Sequence, residues 1–142
     1  MVVASSMALR RIDFVHGSAP AVDTATNAHL DAAEMQLGEY FAGKRTEFDL
    51  VLEPAGTAFQ LAAWAVLRTI PFGATMTYGE QARTMGKPRA VRAVGGANGR
   101  NPLAIVVPCH RVVGADGRLT GYASGVERKA WLLAHEANAV SQ

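Results

Sequence analysis

The sequence predicts an α+β chain, mainly helical, with a winged helix-turn-helix-like core and a short strand and hairpin beside its one cysteine. Three observations carry that expectation. Apolar residues recur at helical spacing behind three capping signals, Thr57-x-x-Gln60, Thr77-x-x-Glu80 and Ser124-x-x-Glu127. Two short helical stretches join at Met85–Pro88, as in a helix-turn-helix. An apolar run at 103–107 precedes the cysteine, and Asp116-Gly117 then offers a tight bend.

Taken in order, residues 1–26 show no sustained period and predict one short strand near 11–15 in a loosely ordered remnant. Residues 27–42 predict a helix with Leu30, Ala33, Leu37, Tyr40 and Phe41 on its inner face, stopped by Gly43. Phe48, Leu50 and Leu52 alternate as a short strand or extended link, and 27–56 thus forms a second segment. The main domain is expected over 57–142. Its first helix carries Phe59, Ala62, Ala63, Val66, Leu67 and Ile70, and Pro71-Phe72-Gly73 stops it. A short helix from Thr77 ends at Gly86, and the next is expected to start at Pro88, since proline suits a first helical turn, and to run to about Asn98. A buried strand at 103–107 follows, then a hairpin pairing Val112-Val113 with Leu119-Thr120. The last helix, capped by Ser124, is expected to bury Val126, Ala130, Leu133 and Ala134.

With 142 residues the chain is about the size of one domain and can bury its own core without disulfide or metal. Its apolar runs are far shorter than the roughly 18 residues of a membrane span. The start lacks the basic region of a secretory signal, and a single thiol permits no internal disulfide, so a cytoplasmic location is expected. The net charge of +2 is unevenly spread: residues 1–56 hold four basic and eight acidic side chains, residues 57–142 ten and four. Seven basic residues and one acid lie between Arg83 and Arg118. That stretch suits either a solubilising surface or a polyanionic partner.

The third helix is unusual, because apart from Arg89 and Arg92 its residues are small: Ala90, Val91, Ala93, Val94, Gly95, Gly96 and Ala97. Such a face permits tight helix packing, or entry into a narrow minor groove with one long residue as a wedge. Cys109 is either a small buried hydrophobe or a nucleophile. Its neighbours favour the second, since His110 and Arg111 follow it directly and a positive field promotes a thiolate. Adjacent side chains rarely bond directly, so His110 is expected to act through one water, with Glu136 the best carboxylate to orient it. A papain-like peptidase fits poorly, because its histidine comes from a distant segment. No zinc site is expected, with one cysteine and scattered histidines.

Asn101-Pro102-Leu103-Ala104-Ile105-Val106-Val107-Pro108-Cys109-His110-Arg111-Val112-Val113-Gly114 resembles the signature of the O6-alkylguanine-DNA alkyltransferases, the methylated-DNA–protein-cysteine methyltransferases. Further blocks agree: Gly56-Thr57-x-Phe59-Gln60, Ile70-Pro71-Phe72-Gly73, Thr77-Tyr78-Gly79-Glu80, Arg92-Ala93-Val94-Gly95-Gly96-Ala97-Asn98, Gly121-Tyr122 and Arg128-Lys129-x-Trp131-Leu132-Leu133-x-x-Glu136. The resemblance implies a DNA-repair protein that flips O6-alkylguanine from double-stranded DNA through the minor groove and takes the alkyl group onto Cys109 in one turnover. O4-alkylthymine is implied as a second substrate. No cofactor is implied, because the thiolate is the acceptor, and a monomer with no membrane partner is expected.

By resemblance, His110 is the water-relayed base, Glu136 its orienting carboxylate, and Tyr78 the donor to the leaving guanine. Asn101 is the hinge beside the cysteine loop, and Arg92 fills the vacated stack. Arg89, Tyr78, Ala93, Gly95 and Gly96 are expected against DNA, and Val112, Tyr122, Ala123 and Ser124 around the base. Two departures stand out. The sequence ahead of residue 27 is too short for the family's N-terminal sheet domain, so reduced stability is expected. Ala123-Ser124-Gly125 replaces the family's usual Ser-Gly-Gly or Gly-Gly-Gly, and Ser124 is either a gate at the pocket lip or a helix cap. Two alternatives stay open: a protein that binds alkylated DNA without transfer, and a regulator in which methylation of Cys109 is the signal.

Overall fold

Side-chain caps set where most of the helices begin. The computed structural model describes residues 1–5, 8–14 and 27–140, which form two compact units. Residues 1–55 with 102–104 make the first, and 56–101 with 105–142 the second. The return of 102–104 to the first unit does not follow from sequence.

In the first unit β1 (Val2–Ala4) pairs antiparallel with β2 (Leu9–Ile12), with an irregularity between Val3 and Ala4. The strand expected near 11–15 thus starts earlier, because Leu9 and Ile12 are the residues it buries; residues 6–7 and 15–26 lie outside the described residues. The other edge of β2 is also used. Leu9 exchanges backbone hydrogen bonds with Val51 and Glu53 at 2.8 and 2.7 Å. The 48–52 stretch is therefore an extended link, with Leu52 bridged to Leu9. Helix α1 (Ala28–Phe41) starts at Asn27, whose side chain accepts from the amides of His29 and Leu30. It buries Ala33, Gln36 and Tyr40, while Leu30 and Leu37 are half-buried and Phe41 is exposed. Gln36 is buried because its amide pairs with the backbone of Asp49 in both directions, at 2.9 and 2.8 Å.

The second unit is built on four helices and a cysteine loop. Thr57 and Gln60 close a full capping box on α2 (Ala58–Leu67), which buries Ala63, Trp64 and Leu67. Thr77 caps α3 (Tyr78–Thr84), and Gly86, at φ +73°, ends the turn after it. Helix α4 spans Val91–Gly99, so it does not begin at Pro88. Instead Pro88 and Arg89 occupy a turn closed by Ala90 N–H to the Lys87 carbonyl at 2.9 Å, where proline's fixed φ serves equally well. Gln81 and Asn98 exchange amide hydrogen bonds at 2.9 and 2.8 Å in the buried junction, and Trp64 Nε1 donates to the Ala97 carbonyl at 2.8 Å.

Three further expectations fail. The run 103–107 is not a strand. Ile105 sits at φ +73°, which breaks an extended path, and Asn101 Nδ2 donates to the Val107 carbonyl at 2.7 Å, closing a loop. Leu103, Ile105, Val106 and Val107 are nevertheless buried, so apolarity reported burial and not conformation. Val112-Val113 forms β4 (Val112–Val113), but its partner is β3 (Met76–Thr77), in parallel. The Asp116-Gly117 bend exists, closed by Gly114 N–H to the Arg118 carbonyl at 2.8 Å, without a strand at Leu119-Thr120. Finally, α5 (Val126–Val140) buries Lys129, Leu132 and Glu136, whereas Val126 is 43% exposed and Ala134 is exposed. Ala130 and Leu133 are half-buried. Its first turn hangs on the Gly125 carbonyl, so the cap position falls on Gly125 and not on Ser124.

Gly56 lies against the Trp64 ring, where an added Cβ would come within 2.6 Å of its carbon atoms. Trp64 is 3% exposed and tied to Ala97, so it has little room to yield. Gly56→Ala is expected to destabilise the chain by about 1–3 kcal/mol in urea unfolding, the usual scale of overpacking. A neutral or stabilising effect would contradict this packing.

A candidate thiol site beneath the helix-turn-helix

Cys109 opens a 3₁₀ turn, Cys109–Arg111, between the Asn101-closed loop and β4. Its thiol is half-buried, and Asn101 Nδ2 donates to Sγ at 3.3 Å. The thiol faces a cleft of about 590 Å³ whose lining includes Tyr78, Gly95, Asn98, Gly99, Tyr122 and Ala123. Its walls are thus α4 on one side and the 120–123 segment on the other. Such a volume lies within the range of small-molecule sites.

Behind the thiol stands a buried ionic cluster. Glu136 Oε2 accepts from His110 Nε2 at 2.6 Å, and both side chains are shut off from solvent. Arg111 donates to the same carboxylate through Nε at 2.8 Å and Nη2 at 3.1 Å, and through Nη1 to the Ile70 carbonyl at 2.7 Å. The Gly73 amide adds a bond at 3.3 Å. Glu136 therefore fixes the imidazole with its proton on Nε2. Nδ1 is left as an acceptor, buried and without a hydrogen-bond partner among the described residues.

Burial pushes the His110 pKa down, outweighing the hydrogen bond and charge of Glu136, and the charges of Arg111 and Lys129 push the same way. Burial likewise pushes the Cys109 thiol up, against the Asn101 bond, the Lys129 charge and a backbone hydrogen bond. The resting pair is thus thiol and neutral imidazole. Tyr122 is also raised, by burial first and then by the charge of Cys109.

Tyr78 is placed by the first residues of α3. Its hydroxyl donates to the Thr120 carbonyl at 3.0 Å and receives Lys129 Nζ at 3.3 Å. Lys129, fully buried on α5, also donates to the carbonyls of Thr120 and Gly121 at 2.9 and 3.3 Å. One ammonium thus ties the tyrosine to the far wall of the cleft.

The structure brings together Cys109, His110, Glu136, Asn101, Tyr78, Tyr122, Ala123 and Gly95. Arg89, Arg92, Ala93 and Gly96 lie exposed on the turn and on α4, the outer face of the helix-turn-helix. Val112 is buried in β4, and neither it nor Ser124 is among the residues lining the cleft. Arg111, which the sequence offered only as a positive neighbour of Cys109, and Lys129, which it offered only within a motif, both prove to bond site residues. The available signal was the spacing of Lys129 and Glu136, seven apart and hence on one face of a helix.

Fold and site together define a helix-turn-helix protein with an acid–base-backed thiol under its second helix. A family model described as the DNA-binding domain of 6-O-methylguanine DNA methyltransferase matches residues 58–138. The Methanosarcina barkeri methylated-DNA–protein-cysteine methyltransferase is 48% identical, over 97% of this chain and 90% of that protein. Its Mycolicibacterium paratuberculosis counterpart is 60% identical over 71% of this chain and 61% of that protein. The crystal structure of Mycobacterium tuberculosis OGT in complex with DNA superposes with a TM-score of 0.88 at 45% identity, covering 97% of this chain and 86% of that one. The chain belongs to the methylated-DNA–protein-cysteine methyltransferase family.

Glu136→Gln would leave the buried Arg111 guanidinium without its anion. It is expected to cost about 3–5 kcal/mol, the scale for breaking a buried ion pair. It should also lower the His110 pKa further, because a charge that raises it is gone. A loss below about 1 kcal/mol in urea, the scale of an exposed pair, would contradict the cluster's role.

Proposed function

We propose that this chain repairs DNA by moving the alkyl group of O6-alkylguanine, and of O4-alkylthymine, irreversibly onto Cys109, once per molecule, as a cytoplasmic monomer. The observation that carries this reading is the shared cleft: one cavity is walled by α4 and floored by a thiol backed by the His110–Glu136 pair. What the relatives are named for agrees with it.

Exposed small residues on α4 let its backbone lie close to the minor groove, and exposed Arg92 is long enough to enter the stack as the base leaves. Once the base is in the cleft, Cys109 passes its proton through one water to Nδ1 of neutral His110. Glu136 then stabilises the imidazolium. The sulfur attacks the alkyl carbon, the carbon–O6 bond breaks, and its electron pair departs with guanine. Tyr78 turns from the Thr120 carbonyl to donate to the departing base, and the Lys129 ammonium at its hydroxyl favours that donation. The thioether formed is inert. Because His110 must be neutral to take the proton, transfer weakens as pH falls below the ordinary histidine range toward its lowered pKa.

Two substitutions separate flipping from chemistry. Arg92→Ala should slow single-turnover repair of duplex DNA by roughly tenfold, about 1.4 kcal/mol, and leave reaction with free O6-benzylguanine base unchanged. Cys109→Ser should abolish both reactions and retain DNA binding. An equal loss of both reactions in Arg92→Ala would assign Arg92 to folding.

A further inference from the structure

The cysteine loop is not wholly a product of the unit that holds the cleft. It leaves its neck at Asn101, whose amide donates to both the Val107 carbonyl and Sγ. Its next three residues, 102–104, belong to the first unit. There they are built into the outer edge of β2. The Ile12 amide donates to the Pro102 carbonyl at 2.7 Å, the Ala104 amide donates to the Ile12 carbonyl at 3.3 Å, and Ile12 and Leu103 bridge in parallel. Leu103 is fully buried and Ile12 is 5% exposed. The chain then turns back through Ile105 at φ +73°, a conformation that a β-branched residue holds only when its surroundings impose it. The clasped stretch is flanked directly by the residue bonded to sulfur and by the strained residue that aims the chain at Cys109.

We infer that the backbone of Ile12 is a positioning element for the nucleophile, its clasp on Pro102 and Ala104 holding the loop in the form that buries Cys109 and keeps Asn101 on Sγ. Both hydrogen bonds come from one residue of an N-terminal strand about ninety positions away in sequence. The first unit therefore serves the chemistry through the loop's backbone, while the cleft's lining among the described residues comes from the second unit. This inference rests on the proposed transfer for its meaning, but its test does not.

Ile12→Pro deletes the amide donor yet suits an extended backbone, and the Ile12 amide is turned toward 102, away from β1. Cys109 is the only thiol, so labelling by iodoacetamide reads it alone. In Ile12→Pro the loop should loosen and admit water to a sulfur that burial holds in the thiol form. The pH midpoint of labelling should fall and its rate at neutral pH rise by about tenfold or more, one unit of midpoint being tenfold in thiolate. Alkyl transfer from free O6-benzylguanine should fall by roughly ten- to a hundredfold, the scale on which a misplaced reacting group acts. Ile12→Val keeps the donor and should restore both readings. Labelling identical to the parent in a folded Ile12→Pro overturns the inference, whatever happens to transfer; a parent that labels normally but transfers nothing contradicts the proposed function instead. If Ile12→Pro does not fold, amide hydrogen exchange on the unaltered chain decides. The amides of Ile12, Ala104 and Cys109 should open together as one unit, and an Ile12 amide exchanging far faster than that of Cys109 overturns the clasp.

Discussion

One carboxylate organises the second unit. Glu136, with no solvent exposure, accepts from His110, Arg111 and the Gly73 amide, and so joins α5 to the cysteine turn and to the loop after α2. A buried charge is tolerable only when such donors surround it. The same bonds that make it tolerable fix the imidazole tautomer, direct Arg111 onto the Ile70 carbonyl and leave Nδ1 as the free acceptor. In the proposed mechanism stability and acid–base chemistry are one requirement, since the fold cannot relax around Glu136 without freeing the His110 imidazole.

A second buried charge performs the matching task on the other wall. The Lys129 ammonium holds Tyr78 to the Thr120 and Gly121 carbonyls, and its charge draws the Cys109 thiol toward ionisation against the effect of burial. Lys129 and Glu136 lie on one face of α5, so this helix supplies a cation to the Tyr78 side of the cleft and an anion to the His110 side. Helix α4 contributes through its small residues: Gly95 and Gly99 line the cleft, and Ala93 and Gly96 lie exposed beside Arg92.

Local chemistry was legible in the sequence and long-range chemistry was not. The caps at Thr57 and Thr77 and the Gly86 turn are set by residues a few positions apart, and each stands where the pattern put it. The run 103–107 misled because β-branched residues signal burial in strand and loop alike, and only Ile105's backbone distinguishes them. The α5 face misled for the opposite reason, as its buried stripe contains two charges that hydrophobic periodicity counts as exposed. In the site, Cys109, His110, Glu136, Tyr78 and Asn101 were named from adjacency and resemblance, and the structure gathers them. The bonds of Arg111 to Glu136 and of Lys129 to Tyr78 escaped because they span 25 and 51 residues. The Ile12 clasp escaped because it is made by backbone atoms, which carry no sequence signal.

The most direct measurement is intact-protein mass spectrometry after incubation with a duplex carrying one O6-methylguanine. The expected result is the gain of one CH₂ per chain, stoichiometric with lesion and mapped to Cys109 in the peptide digest. A chain that binds this duplex and shows no change in mass would contradict it, and would mark the cleft as a reader of the lesion that lacks the chemistry.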